Sequence, residues 1–228
     1  DKWVSPAIRR KCHDVVGFTF GIVGVIYAVL LGFIVVSVND RFNQIQKNFV
    51  SEAAVMLELY RDAEVFSPEE RDRVRAQIKS YAGLVYKEEW GLMAQQVESQ
   101  KAYDHLLTLW REYYKIEPKT EREKAWFQES LQKMNELAEA RVIRLFNTTQ
   151  SLSGLMWTML VAGAVITIVF MYFFSVESGA AHVLLTALLA GVISFMLFLV
   201  LSLDSAFSGD VHVEPTEILK TMERFETL

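Results

Sequence analysis

The sequence is poor in residues that staple a fold, ligate a metal or shuttle a proton. One cysteine, Cys12, stands among 228 residues, so no intramolecular disulfide forms and no redox compartment is indicated. The four histidines, His13, His105, His182 and His212, are dispersed, and no His/Cys/carboxylate set has metal-site spacing. His-Glu-x-x-His, a phosphate-binding loop and a Gly-x-Ser-x-Gly elbow are all absent. Glu88 and Glu89, before Trp90, are adjacent carboxylates that a helix points to different faces. The residues therefore assign no catalytic site, no metal and no cofactor. A net charge of −5, without a basic stripe interleaved with aromatics, argues against a nucleic-acid partner. Lys and Arg are scattered beside Glu, a pattern that reads as a solvated face. Sustained period-two alternation and hairpin turn dipeptides are missing, which excludes a β-rich fold. There is no internal repeat and no low-complexity tract.

What the sequence has is apolar length. Mean hydropathy is +0.20, and 52% of residues are hydrophobic. Three uncharged stretches, 15–38, 152–176 and 180–203, exceed the roughly 18 residues that cross a ~30 Å hydrocarbon core. A basic segment, 1–14, precedes the first. That first span is too long for a signal peptide and lacks a small-x-small cleavage site.

Between the first two spans lies a polar stretch, 39–150. Phe42, Ile45, Phe49, Ala53, Met56 and Tyr60 recur at three- and four-residue spacing, so the first span continues as an amphipathic helix. "FSPEER" marks a break, with Ser67 as N-cap and Pro68 at the first helical position. Val74, Ile78, Tyr81 and Val85 form the next stripe. A helix over about 99–115 points Leu106, Leu109, Trp110 and Tyr113 inward. Thr120 and Glu123 form a capping box for a last helix, whose inward stripe is Trp126, Phe127, Leu131, Met134, Leu137, Val142 and Leu145. "VESGA" joins the second and third spans as a hairpin, and 204–228 is a tail ending in a short helix from about residue 216. The fold class is all-α: a polytopic membrane protein with three transmembrane helices and an inserted helical bundle.

The cluster Arg9, Arg10, Lys11 lies before the first span, while Arg41, Lys47, Arg141 and Arg144 flank the domain side. The tight cluster favours a cytoplasmic N-terminal side, with the helical domain and C-terminus extracytoplasmic.

Four glycines in an apolar helix ask for a reason. Gly17, Gly21, Gly24, Ala28 and Gly32 fall within an arc of about 80° and make a small-residue ridge. Such a ridge lets helices approach closely, within a subunit or between subunits; alternatively it lines a pore. Three thin spans bury little surface alone, which points to a homo-oligomer in lipid. In the third span His182, Thr186, Ala190 and Ser194 repeat every four residues, as polar packing groups or as hydroxyls facing ions. Pore-lining candidates in the first span are Thr19, Phe20, Tyr27 and Phe33. Asp40, Asp204 and Asp210 gather at the domain-side ends, where an oligomer would repeat them as acidic rings or where they serve as helix-end and turn residues.

"HDVVGFTFGIVGVIYAVLLGFIVV", "SEAAVMLELYR", "YAGLVYKEEW", "SGLMWTMLVAGAVITIVFMYFF" and "LSLDSAFSGDVHVEP" resemble a family of bacterial membrane proteins described as bestrophin-like. The similarity runs over about 13–215, and Leu-Asp-x-x-Phe-x-Gly, from Leu203 to Gly209, is its most specific signature. Members carry a further apolar span before the basic loop, which implies a fourth span ahead of Asp1. The resemblance extends by name to bestrophins, which are pentameric anion channels with calcium-sensing regions. Neither a bestrophin pore motif nor an acidic calcium clasp is present here. Two functions are therefore expected: a homo-oligomeric channel for small inorganic ions, or a non-conducting sensor or scaffold that binds a partner through its helical domain.

Overall fold

The computed structural model describes residues 13–174, 178–209 and 211–228. Among these the secondary structure is helical throughout. Arg9, Arg10, Lys11, Cys12 and Asp210 lie outside the described residues. Three helices are long and apolar enough to cross a membrane. The chain divides into two compact units: one up to Arg41 together with Ser151–Asp204, the other Phe42–Gln150 together with Ser205–Leu228.

Helix α1, His13–Asp62, belongs to both units and runs 50 residues, from the apolar stretch into the amphipathic one. It gives way to a 3-10 turn, Ala63–Val65. The helical unit continues with α2, Pro68–Leu84. Ser67 Oγ accepts from the Glu70 amide while the Glu70 carboxylate accepts from the Ser67 amide, so two orphan donors of the first turn are satisfied. A π-helical turn, Val85–Glu89, leads into α3, Trp90–Met93. Its wide turn aims Glu89 inward and leaves Glu88 at the surface. Ser99 caps α4, Gln100–Tyr113, and the Thr120/Glu123 box starts α5, Glu121–Thr148. The expected stripes Val74, Ile78, Tyr81, Val85 and Leu106, Leu109, Tyr113 are buried.

The last part of α5 departs from the expected stripe. Val142 is 64% exposed and Leu145 half-buried, and Arg141 and Arg144 take the inward positions. The reading of scattered cations as a solvated face is corrected by the same pair. These two guanidiniums point inward because two buried carboxylates face them.

The tail is held in the helical unit by α8, Thr216–Phe225. Ile218 and Phe225 are buried, the Phe225 ring stacks on Tyr60 at 4.5 Å, and Thr221 Oγ1 donates to the Ala53 carbonyl. Each of the two apolar anchors contributes roughly 1.5–3 kcal/mol by burial. In the loop before it, Gly209 has φ +89°, a conformation a side chain rarely adopts, which gives the signature glycine a backbone reason. Phe207 packs edge-on against Trp90, which in turn packs on Phe49.

The membrane unit consists of the first part of α1 with α6, Gly154–Met171, and α7, Gly179–Asp204. α6 ends at Met171, earlier than the 176 expected from hydropathy; residues 175–177 lie outside the described ones. Its core is Tyr27, Leu31, Ile34, Val38, Leu160, Ala164, Ile193 and Val200.

Candidate functional site

The membrane unit sorts the sequence candidates into buried, self-satisfied and open groups. Tyr27 is buried within the membrane unit. Its ring lies over Gly163, where an added Cβ would collide with it, and its hydroxyl donates to the Leu160 carbonyl at 3.1 Å. Phe20 packs on Phe170 and Phe174. Thr19 is half-buried, whereas Phe33 is 72% exposed. On α7, Thr186 donates to the His182 carbonyl of its own helix, Ala190 is half-buried and Ser194 is exposed. His182 is half-buried, and its Nδ1 has no hydrogen-bond partner among the described residues.

The ridge on α1 is largely open. Among the described residues, a Cβ at Gly21, Gly24 or Gly32 would meet nothing within 4 Å, and one at Gly17 would only touch Phe174 at 3.9 Å. Ala28 is exposed as well. The glycine that admits a close neighbour within the subunit is Gly163 on α6, which the periodicity of α1 did not reveal.

Asp204 is not a free acid. It is buried, its Oδ1 lies 2.6 Å from Arg41 Nη2, and the same oxygen accepts from the Leu152 amide at 2.8 Å. Arg41 Nη2 also donates to the Asp204 carbonyl at 2.6 Å. One side chain of α1, the last residue of α7 and the lead-in to α6 are thereby clamped together. The pair is neutral, so Asp204 adds no net charge to an acidic ring. Asp40 is exposed. Asp210, the third candidate, lies outside the described residues.

The helical unit holds a feature missed in the sequence: four charged side chains with almost no solvent contact. Glu52 and Glu89 are fully buried, and Arg141 and Arg144 are nearly so. Arg144 Nε and Nη2 reach the two Glu52 oxygens at 2.6 and 3.1 Å, a bidentate fork. Arg144 Nη2 also donates to Glu89 at 2.7 Å, and Nη1 to the Met93 sulfur at 2.9 Å. Glu89 is shared with Arg141, which donates further to the Ser99 carbonyl. Two cations and two anions balance. Burial opposes the Arg144 charge, but Glu52, Tyr81 and Glu89 hold its pKa above the ordinary arginine value. Burial, reinforced by Glu52, pushes the nearby Tyr81 phenol up. The i, i+3 spacing of Arg141 and Arg144 opposite Glu52 was the available signal, but it is equally common on solvated helices.

Among the described residues no three His, Cys, Asp or Glu side chains gather as a metal-holding group. The arrangement provides membrane-crossing helices with an open small-residue face, and a helical unit fixed by an internal charge network.

Comparisons with known proteins agree with this architecture. The zinc-phased crystal structure of a bacterial bestrophin homolog from Klebsiella pneumoniae superposes with a TM-score of 0.73 at 13% identity, covering 96% of this chain and 90% of that one. A point mutant of that Klebsiella pneumoniae homolog gives 0.74 at 13% identity, covering 96% and 91%. A crystal structure of a protein described only as a membrane protein, also a point mutant, gives 0.71 at 14% identity, covering 96% and 90%. At such identities the likeness concerns the fold. No curated relative matches. The family model described as Bestrophin-like domain matches residues 1–218, nearly the whole length, and the chain belongs to that family.

Proposed function

We propose that the chain is one subunit of a homo-oligomeric ion channel in the bacterial inner membrane. Its transmembrane helices form the pore and its helical units a vestibule. The observation that supports this most is the open ridge of α1: among the described residues a Cβ added at Gly21, Gly24 or Gly32 meets nothing within 4 Å. In lipid, a smooth small-residue face gains packing energy only from another helix. Phe33, 72% exposed, supplies a bulky apolar side chain of the kind that gates by dewetting when repeated around an axis. Anion selectivity, like a pentamer, enters by analogy with bestrophins. With Asp204 neutralised by Arg41, the acidic mouth rests on Asp40 among the described residues. The basic cluster Arg9–Lys11 orients the helical unit outside the cytoplasm, and an alkaline phosphatase fusion at the C-terminus, active only outside, tests that side.

Replacing Gly24 with Leu places a branched side chain on the ridge. The oligomer is expected to dissociate in native mass measurements. Unchanged oligomer size would remove the ridge from assembly, and a wild type that is monomeric in lipid would favour the non-conducting sensor.

A further inference from the structure

The helical unit carries two exposed helix faces nearly free of charge. One lies on α1, where Asn43, Gln46, Lys47 and Val50 are exposed and line a groove of about 410 Å³. A second groove, of about 490 Å³, adjoins it and shares Gln46 and Val50, with Val213 and Thr216 of the tail on its far side. The other face lies on the last turns of α5, where Val142 is 64%, Phe146 61% and Ile143 36% exposed.

The two faces complement one another in charge. From 43 to 54 the exposed residues of α1 include one charge, Lys47; from 135 to 146 those of α5 include one of opposite sign, Glu139. Neither has an ion-pair partner among the described residues. They also complement one another in shape, since α5 projects a ring and branched side chains while α1 offers grooves.

Their heights agree as well. Within the subunit α1 and α5 run antiparallel side by side: Glu58 pairs with Lys133, and Ser51 and Val55 share a groove with Glu136, Glu139 and Ala140. At 1.5 Å per residue, the same register sets Val50 level with Val142, and Gln46 level with Phe146, to within about one residue. Lys47 and Glu139 differ in height by about 7 Å, which two extended side chains span. Val50 and Val142 are both exposed, so they do not cover one another within one subunit.

We propose that these faces are the contact between neighbouring copies of the chain. Val142 and Phe146 of one copy seat on the Gln46–Val50 face of the next, and Glu139 pairs with Lys47. The inference rests on the homo-oligomer proposed above and adds the surface by which the helical units meet. The contact is heterologous: each copy gives α5 to one neighbour and receives α5 from the other, which closes into a ring. A rotation axis parallel to the two helices leaves heights unchanged, so side chains level within one subunit meet across two. An apolar, aromatic centre with its charges at the edge is the composition of an interface core and rim.

The test uses two differently tagged full-length chains in a Cys12→Ser background, one Val50→Cys and the other Val142→Cys. Both are exposed positions. The chains are co-expressed and treated in native membranes with a short bis-maleimide. A covalent dimer carrying both tags is expected, and neither variant expressed alone should give one. Lys47→Glu sets two acids together, so half-assembly in lipid should need at least about threefold more protein. Lys47→Glu/Glu139→Lys in one chain should restore it; neither residue is ion-paired within its subunit, so the recovery reports the contact between copies. An oligomeric wild type without the mixed dimer, equal cross-linking by either variant alone, or no recovery in the charge swap would overturn this contact and leave the channel reading standing. A wild type that is monomeric in lipid would overturn both.

Discussion

Removing Arg144 is the sharpest perturbation of the helical unit. Among the described residues its guanidinium is the sole ion-pair partner of Glu52 and one of two partners of Glu89, and all three groups are excluded from water. In Arg144→Met the apolar stem is replaced, Glu89 keeps Arg141, and Glu52 is left as a buried charge without a counter-ion. Breaking a buried pair from one side costs about 3–5 kcal/mol, a large share of the roughly 5–15 kcal/mol that holds a domain together. At about 2–4 °C per kcal/mol for a chain of this size, the melting temperature should fall by roughly 6–20 °C. The assay is thermal unfolding of the full-length protein in detergent, followed by far-ultraviolet circular dichroism. The double variant Glu52→Leu/Arg144→Met removes one charge of each sign and leaves Arg141 with Glu89 in balance. It should therefore melt above the single variant, because the uncompensated charge is gone. A single variant melting within about 2 °C of wild type, or a double variant melting below the single, would refute the reasoning.

Three further outcomes follow from the structure. Gly163→Ala drives a methyl into the Tyr27 ring and should destabilise the membrane unit by about 1–3 kcal/mol, read as earlier aggregation on heating in detergent; Tyr27→Leu in the same chain should relieve part of it. Asp204→Ala deprives Arg41 and the Leu152 amide of their shared acceptor, so thermal stability should fall by about 2–4 kcal/mol; a melting temperature equal to wild type would contradict the clamp. Glu123, held below the usual carboxylate range by the Lys119 and Thr120 amides, and Glu88, lowered by Lys101 and Ser99, stabilise the helical unit when ionised. Because their folded pKa values lie below the unfolded ones, that stability is complete above the ordinary carboxylate pKa. It is lost as pH falls through the depressed values; a melting temperature flat from neutral pH to strong acid would contradict it.

The membrane helices, the breaks and both N-caps could be read from residues because each rests on a local cause. Apolar length, Ser67 with Pro68, and Thr120 with Glu123 act within one turn or one span. What stayed hidden depends on pairings far apart in the chain. Arg141 and Arg144 look solvated until Glu52 and Glu89 are brought opposite them, 92 and 55 positions from Arg144. Their inward turn also explains why Val142 and Phe146, which fit an inward stripe by type, lie outside. Asp204 was visible as a signature residue, but its partner Arg41 is 163 positions away, and an acid at a span end reads equally as mouth or clamp. The ridge of α1 was legible as a ridge. That it has no close neighbour among the described residues, while Gly163 takes the close contact, required the three helices in place.

The central claim is conduction, and the direct test is current through the purified protein in a planar bilayer under a KCl gradient. A channel predicts discrete conductance steps with a reversal potential displaced from zero, towards chloride if the analogy with bestrophins extends to selectivity. Membranes that contain the protein yet stay at bare-bilayer conductance across voltage, pH and calcium would contradict it.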